Sequence, residues 1–114
     1  MKKILFTLLA TALFAGSVAA QQTFSAADFQ KNLGKMGTLC DTVSTLRIFS
    51  DTLTLINMGG AYPNQKYTIA VKSNRISLDW TNLKGKKLCV TGVFEMYKGR
   101  PEIEVTDPER ISAQ

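Results

Sequence analysis

The sequence predicts an all-β domain with small α additions: a closed five-stranded barrel, an N-terminal helix, and a short connector between the third and fourth strands. Three observations carry that expectation. From Thr38 onward Thr, Val, Ile and Leu dominate, and turn residues recur every eight to twelve positions, the spacing of a barrel or sandwich. The first strand changes parity part-way along, so it must bend. The chain has 114 residues, 45% apolar and 20% charged, with 3 prolines, which is the composition of one small folded domain rather than of a disordered tail.

The first twenty residues read as an address. Met1-Lys2-Lys3 is a basic start, Ile4 to Ala15 carries no charge, and Gly16-Ser17-Val18-Ala19-Ala20 ends in small residues. That order predicts a secretory signal peptide over residues 1–20, cleaved after Ala20. The apolar run falls short of the about 20 residues a bilayer span needs, and the small-residue end argues against an uncleaved anchor. No cysteine stands at the cleavage point, which argues against a lipid-anchored lipoprotein. The expected location is the bacterial periplasm or the medium, with no membrane contact after cleavage. Losing Lys2 and Lys3 takes the net charge from +5 to +3. A chain of this size buries only about 60–65% of its unfolded surface, so a covalent staple would help.

The remaining elements follow in order. Ser25-Ala26-Ala27-Asp28 has the capping-box pattern, a serine with an acid three residues on. Phe29 and Leu33 would share one helical face and Gly34 supplies a stop. Residues 21–35 are therefore expected to form a short helix laid on the barrel by Phe29 and Leu33, with the barrel over residues 36–114. In the first strand Leu39, Asp41 and Val43 have one parity and Leu46 and Ile48 the other, which puts the bend near Ser44-Thr45. Ser50-Asp51 turns the chain, Leu53 to Met58 is the second strand, and Gly59 to Gln65 is a loop. Tyr67, Ile69 and Val71 alternate as the third strand. A turn at Ser73-Asn74-Arg75 leads to the connector, Ile76 to Leu83, where Trp80 is expected to be a core residue. Leu88 and Val90 mark the fourth strand up to Gly92, read as a bulge, after which the strand resumes to Tyr97. Lys98-Gly99 is a two-residue hairpin turn. Ile103 and Val105 point inward on the fifth strand, with Glu102 and Glu104 outward, and Asp107-Pro108 caps a last helical turn.

Five short strands, a bent first strand and a connector between strands three and four match the OB-fold, a small Greek-key barrel. There the first and fourth strands are antiparallel neighbours. Leu39 and Val43 flank Cys40 with inward parity, as Leu88 and Val90 flank Cys89, so both thiols face out of the barrel on one side. Two cysteines alone, in an oxidising compartment, make Cys40–Cys89 the expected disulfide. Chain entropy gives such a long loop about 4 kcal/mol of stabilisation. The alternative is two unpaired buried thiols; a redox-active pair would want a Cys-x-x-Cys, which is absent.

The stretches Leu53 to Val71 and Leu83 to Ile111 carry a Gly-Gly-x-Tyr-Pro-Asn-Gln loop, a Lys-Gly-Lys lead into strand four, a Thr-Gly pair and a Tyr-Lys-Gly-Arg-Pro hairpin. In these the chain resembles, over residues 36–111, the bacterial OB-fold nucleic-acid-binding domains of the tRNA-anticodon-binding type. Asp41 departs from that pattern, which has glycine there. A more distant likeness is to the small periplasmic stress-associated OB-fold proteins. The resemblance implies a binding module, with single-stranded nucleic acid as the ligand.

The residues themselves exclude more than they assign. The chain has no histidine, which removes Ser-His-Asp and Cys-His catalysis and histidine metal sites. Two cysteines cannot supply a structural zinc site. Asp41, Asp51 and Asp79 fall on different elements, so no nucleophile–base pair is legible and neither enzyme activity nor a cofactor is expected. OB barrels bind across strands two and three between the one-two and four-five loops. That maps to Arg47, Thr54, Ile56, Tyr62, Thr68, Lys72, Tyr97, Lys98 and Arg100. Of these, Arg47, Tyr62, Lys72, Tyr97, Lys98 and Arg100 are the binding candidates, because single strands want cations for phosphates and rings for bases. Each has a plainer reading beside it. The Tyr97 hairpin can be a solvated turn covering the core edge, and Tyr62, beside Pro63, can close the barrel end. Lys84, Lys86 and Lys87 form a basic cluster placed on the far side, either a solvated turn or a salt-sensitive phosphate contact. The modest charge and the run Glu102, Glu104, Glu109 leave a protein or oligosaccharide ligand in the periplasm as the second reading.

Overall fold

A computed structural model describes residues 23–114; the predicted signal peptide over 1–20 lies outside the described residues. The strands are β1 (Thr23–Phe24), β2 (Met36–Ser50), β3 (Leu53–Met58), β4 (Tyr67–Val71), β5 (Lys87–Val93), β6 (Glu95–Tyr97), β7 (Arg100–Val105) and β8 (Ile111–Ala113). No α-helix occurs among the described residues, and the short helical pieces are single 3-10 turns.

The 15-residue β2 serves both halves of the sheet. Its first half pairs antiparallel with β5, Met36 opposite Val93 through Thr42 opposite Lys87. Its second half pairs antiparallel with β3, Val43 opposite Met58 through Ser50 opposite Leu53. The register slips between Val43 and Thr45, where the parity change demands a bend. The full order is β6-β7-β4-β3-β2-β5-β8, with β1 lying parallel to β2 and β4 parallel to β7. The inward residues make one core, with Leu39, Ile56, Met58, Ile69, Leu88, Val90 and Ile103 fully buried. Trp80 packs half-buried against that core from a 3-10 turn over Trp80–Asn82.

Cys40 and Cys89 stand directly opposite each other on β2 and β5, with Cα atoms 4.0 Å apart, and are joined by a disulfide. The covalent link therefore ties the first half of β2 to β5, ahead of the point at Val43 where β2 passes to β3. Asp41 does not disturb the ladder, since it pairs with Leu88 as a regular strand residue.

Several expectations are corrected. The helix expected over 21–35 is not found in its described part, residues 23–35: β1 pairs with β2, and two 3-10 turns follow at Ala26–Asp28 and Gln30–Asn32. The capping contact itself is present, as the Ser25 N–H and hydroxyl both donate to Asp28 Oδ2 at 3.0 Å. These two bonds hold the Asp28 carboxyl below its ordinary range, the backbone donor contributing most. A stretch this short is marginal as a helix, and one side chain settles its path. Phe29 is buried, stacked on Phe94 with centroids 4.7 Å apart and on Tyr67 at 6.0 Å. Leu33, with ψ 136°, has left helical space and lies 41% exposed.

Gly92 is not a bulge either. It sits in unbroken register opposite Gly37, and a Cβ there would meet Ile103 Cγ2 at 2.6 Å. The glycine is required by the close approach of β5 to β7. The break in the fourth strand comes two residues later, at buried Phe94, whose N–H and C=O bond Lys35 and Gly34. The terminal turn Pro108–Arg110 forms as predicted, with Asp107 accepting from the Glu109 N–H at 3.0 Å. It feeds a strand the sequence does not announce, β8, which pairs with β5 from Leu88 to Val90.

Candidate binding groove

Alternation along β2, β3, β4 and β7 gives the sheet an outer face, and the register assembles that face into rows. Thr45, Asn57, Thr68 and Glu102 are successive partners across the four strands, as are Arg47, Leu55, Ala70 and Glu104. The first row is tied by side chains. Asn57 Nδ2 donates to Thr45 Oγ1 at 2.9 Å, Thr68 Oγ1 donates to Asn57 Oδ1 at 3.2 Å, and Gln65 Nε2 donates to Thr68 Oγ1 at 3.1 Å. A groove of about 780 Å³ lies over this face. The loop over Gly59–Lys66 stands at one end, held by the Gly60 N–H donating to Ser44 Oγ at 2.8 Å at the β2 bend. The β6–β7 hairpin stands beside it. Its tip uses positive φ at both Lys98 and Gly99, as a two-residue turn between twisted strands requires.

All six candidate residues, Arg47, Tyr62, Lys72, Tyr97, Lys98 and Arg100, line this one groove. Four of the cations meet a ring or an acid. The Arg100 guanidinium lies 4.9 Å from the Tyr62 ring centre, linking loop to hairpin; Arg47 lies 4.8 Å from Phe49, and Lys98 5.4 Å from Tyr97. Lys72 instead pairs with Glu104 at 3.5 Å, which spends part of its charge. Tyr62 is 64% exposed, so it does not pack into the core as a closing residue.

Thr54 and Ile56 do not belong to this face. Both are buried in the core, because β3 presents Leu53, Leu55 and Asn57 outward. Phe49, Leu55, Asn57 and Gln65 are groove residues that reading the sequence missed. The strand partner of Arg47 is Leu55, so register was the signal that would have found the β3 pair. Glu102 keeps its outward parity but is only 9% exposed, sunk in the groove floor. Desolvation pushes its carboxyl above the ordinary range; Lys72 opposes the shift and Glu95 and Glu104 add to it. Among the described residues no three His, Cys, Asp or Glu side chains come together as metal ligands.

No protein-family model matches the chain, and no curated protein matches it in sequence. Solved structures do. The chain is similar to a lipoprotein from Klebsiella pneumoniae subsp. pneumoniae, provisionally described as nucleic acid-binding. That match has a TM-score of 0.55 and 17% identity, over 87% of this chain and 96% of that one. It is also similar to Entamoeba histolytica asparaginyl-tRNA synthetase, at a TM-score of 0.61 and 16% identity over 82% of this chain. The fold is OB-like. The chain spans under a quarter of the synthetase, 23% of its length, so the OB-like domain corresponds to one part of that enzyme. At these identities the likeness concerns the fold.

Proposed function

We propose that this chain is a small exported OB-type binding module, without enzymatic activity, that grips single-stranded nucleic acid in the groove over β2, β3, β4 and β7. One observation carries the reading: three exposed rings, Phe49, Tyr62 and Tyr97, line a single groove, each with a cation over it. Rings offer stacking faces to bases and the cations offer partners to phosphates. The Cys40–Cys89 disulfide supports export, since such bonds persist in oxidising compartments. Fluorescence anisotropy of residues 21–114 with labelled single-stranded oligonucleotides tests it. Saturable binding that weakens with salt is the expected result, and no binding at low salt rejects it.

A second reading, a protein or oligosaccharide ligand in the periplasm, is favoured by one feature. Glu102 lies in the groove floor and Glu104 ties up Lys72, so negative charge stands on the path a phosphate backbone would take. Binding of a glycan or peptide to the same groove, with oligonucleotides inert, selects this reading.

A further inference from the structure

We infer that the footprint of the bound strand continues out of the groove, across the bend of β2, onto the lysine turn at Lys84, Lys86 and Lys87. This inference rests on the nucleic-acid reading above and extends it. The groove is walled on the β7 side by the hairpin Tyr97–Pro101 and at one end by the Tyr62 loop. Across β2 it is open, because β5 accompanies β2 only from Met36 to Thr42 and, among the described residues, no strand pairs with the outer edge of Thr45–Ser50. The row Glu102, Thr68, Asn57, Thr45 therefore leads across the sheet to an unwalled edge.

The lysine turn stands at that edge, not on the far side. Val43 donates its N–H to the Lys86 carbonyl at 2.9 Å and accepts from the Gly85 N–H at 2.8 Å. The turn is thus bonded to the residue two before Thr45, on the side of β2 away from β3. The next residue, Ser44, carries the Tyr62 loop through Gly60. The β2 bend accordingly joins the lysine turn to the groove's end wall. Lys84, Lys86 and Lys87 are all exposed, and among the described residues the one ion pair is Lys72–Glu104, which leaves the three lysines free of acids. Three unpaired cations beside an open exit suit the phosphates of a strand that has crossed the groove. They read no base, so they add affinity and salt dependence without sequence preference.

The test compares labelled single-stranded oligomers of about 4 and about 12 nucleotides, the first at the lower end of the site sizes of OB domains and the second well inside their range. Wild type is expected to bind the longer oligomer at least tenfold more tightly and with a steeper salt slope. The triple variant Lys84→Gln, Lys86→Gln, Lys87→Gln should bind the short oligomer as wild type does and lose most of that advantage. Its salt slope on the long oligomer should fall by up to about 2, at about 0.7 per single-strand phosphate contact. The arginine triple variant should restore both, which separates lost charge from lost folding. An unchanged slope and affinity for the long oligomer overturns the inference while leaving the groove reading intact, as does an equal loss at both lengths. Failure of wild type to bind either oligomer removes both.

Discussion

The Tyr67 hydroxyl donates a 2.7 Å hydrogen bond to Asp41 Oδ2, joining β4 to the middle of β2 across the core. Tyr67 is 1% exposed, and Asp41 takes the parity that points inward. Asp41 is therefore an acceptor for a buried phenol. Tyr67→Phe is expected to cost about 1.5–3 kcal/mol, the range for a hydrogen bond to a charged group, measured by urea unfolding at neutral pH. Asp41→Asn should cost less, because its amide oxygen still accepts.

The same pair sets an alkaline limit. Burial, and secondarily Asp41, push the Tyr67 phenol well above its ordinary value. The folded state thus holds the proton more tightly than the unfolded chain. Stability from this group is complete below about pH 10, the ordinary tyrosine value, and declines as the pH rises beyond it. Urea midpoints between pH 9 and 11 should fall more steeply for wild type than for Tyr67→Phe, and parallel declines would refute the assignment.

Glu102 gives the same sign at the acid end. Its carboxyl is raised chiefly by desolvation, so the folded state favours the protonated form. The ionised group is a cost above the folded pKa, and that cost is relieved as the pH falls through it. Glu102→Gln should raise the melting temperature at pH 7, with the gain shrinking toward pH 4. A gain that is absent at neutral pH, or that grows on acidification, contradicts this account. If the groove takes a phosphate backbone, the same substitution should also tighten oligonucleotide binding.

Removing the Cys40–Cys89 bond frees a loop with a sequence separation of 49. The chain-entropy treatment expects a loss of about 4 kcal/mol for Cys40→Ala/Cys89→Ala, a large share of what a domain this small holds. Thiol titration of the unfolded, unreduced protein should find no reactive thiol.

Gly92→Ala should destabilise by about 1–3 kcal/mol, the range for overpacking a filled core, because the new methyl meets Ile103 Cγ2 at 2.6 Å. Ile103→Ala with Gly92→Ala is the check: removal of the Cγ2 methyl should recover some of the loss. Additive losses would locate the strain elsewhere.

In the groove, Tyr62→Ala and Tyr97→Ala are each expected to weaken oligonucleotide binding by about 1–3 kcal/mol, the worth of one base on one ring. Tyr62→Ala also releases Arg100 from its 4.9 Å contact, so Arg100→Ala on that background should cost less than alone. Anisotropy titrations of the double-mutant cycle measure this.

The sequence by itself determined the strands that carry their own signal. Leu53–Met58, Tyr67–Val71 and the Lys98-Gly99 hairpin stand where alternation and turn chemistry put them, and the parity change in β2 marks its bend. The six groove candidates were legible because exposed cations and rings cluster in a few loops and edges. Tertiary structure decided what local pattern leaves degenerate. Thr23–Phe24 and Ile111–Ala113 become strands only because β2 and β5 offer them an edge. The run after Ser25 becomes two 3-10 turns because seating Phe29 between Phe94 and Tyr67 outweighs a marginal helix. Thr54 and Ile56 turned inward, and Leu55 and Asn57 outward, because on a strand of alternating apolar residues the core face is chosen by pairing with neighbours, which no single strand contains.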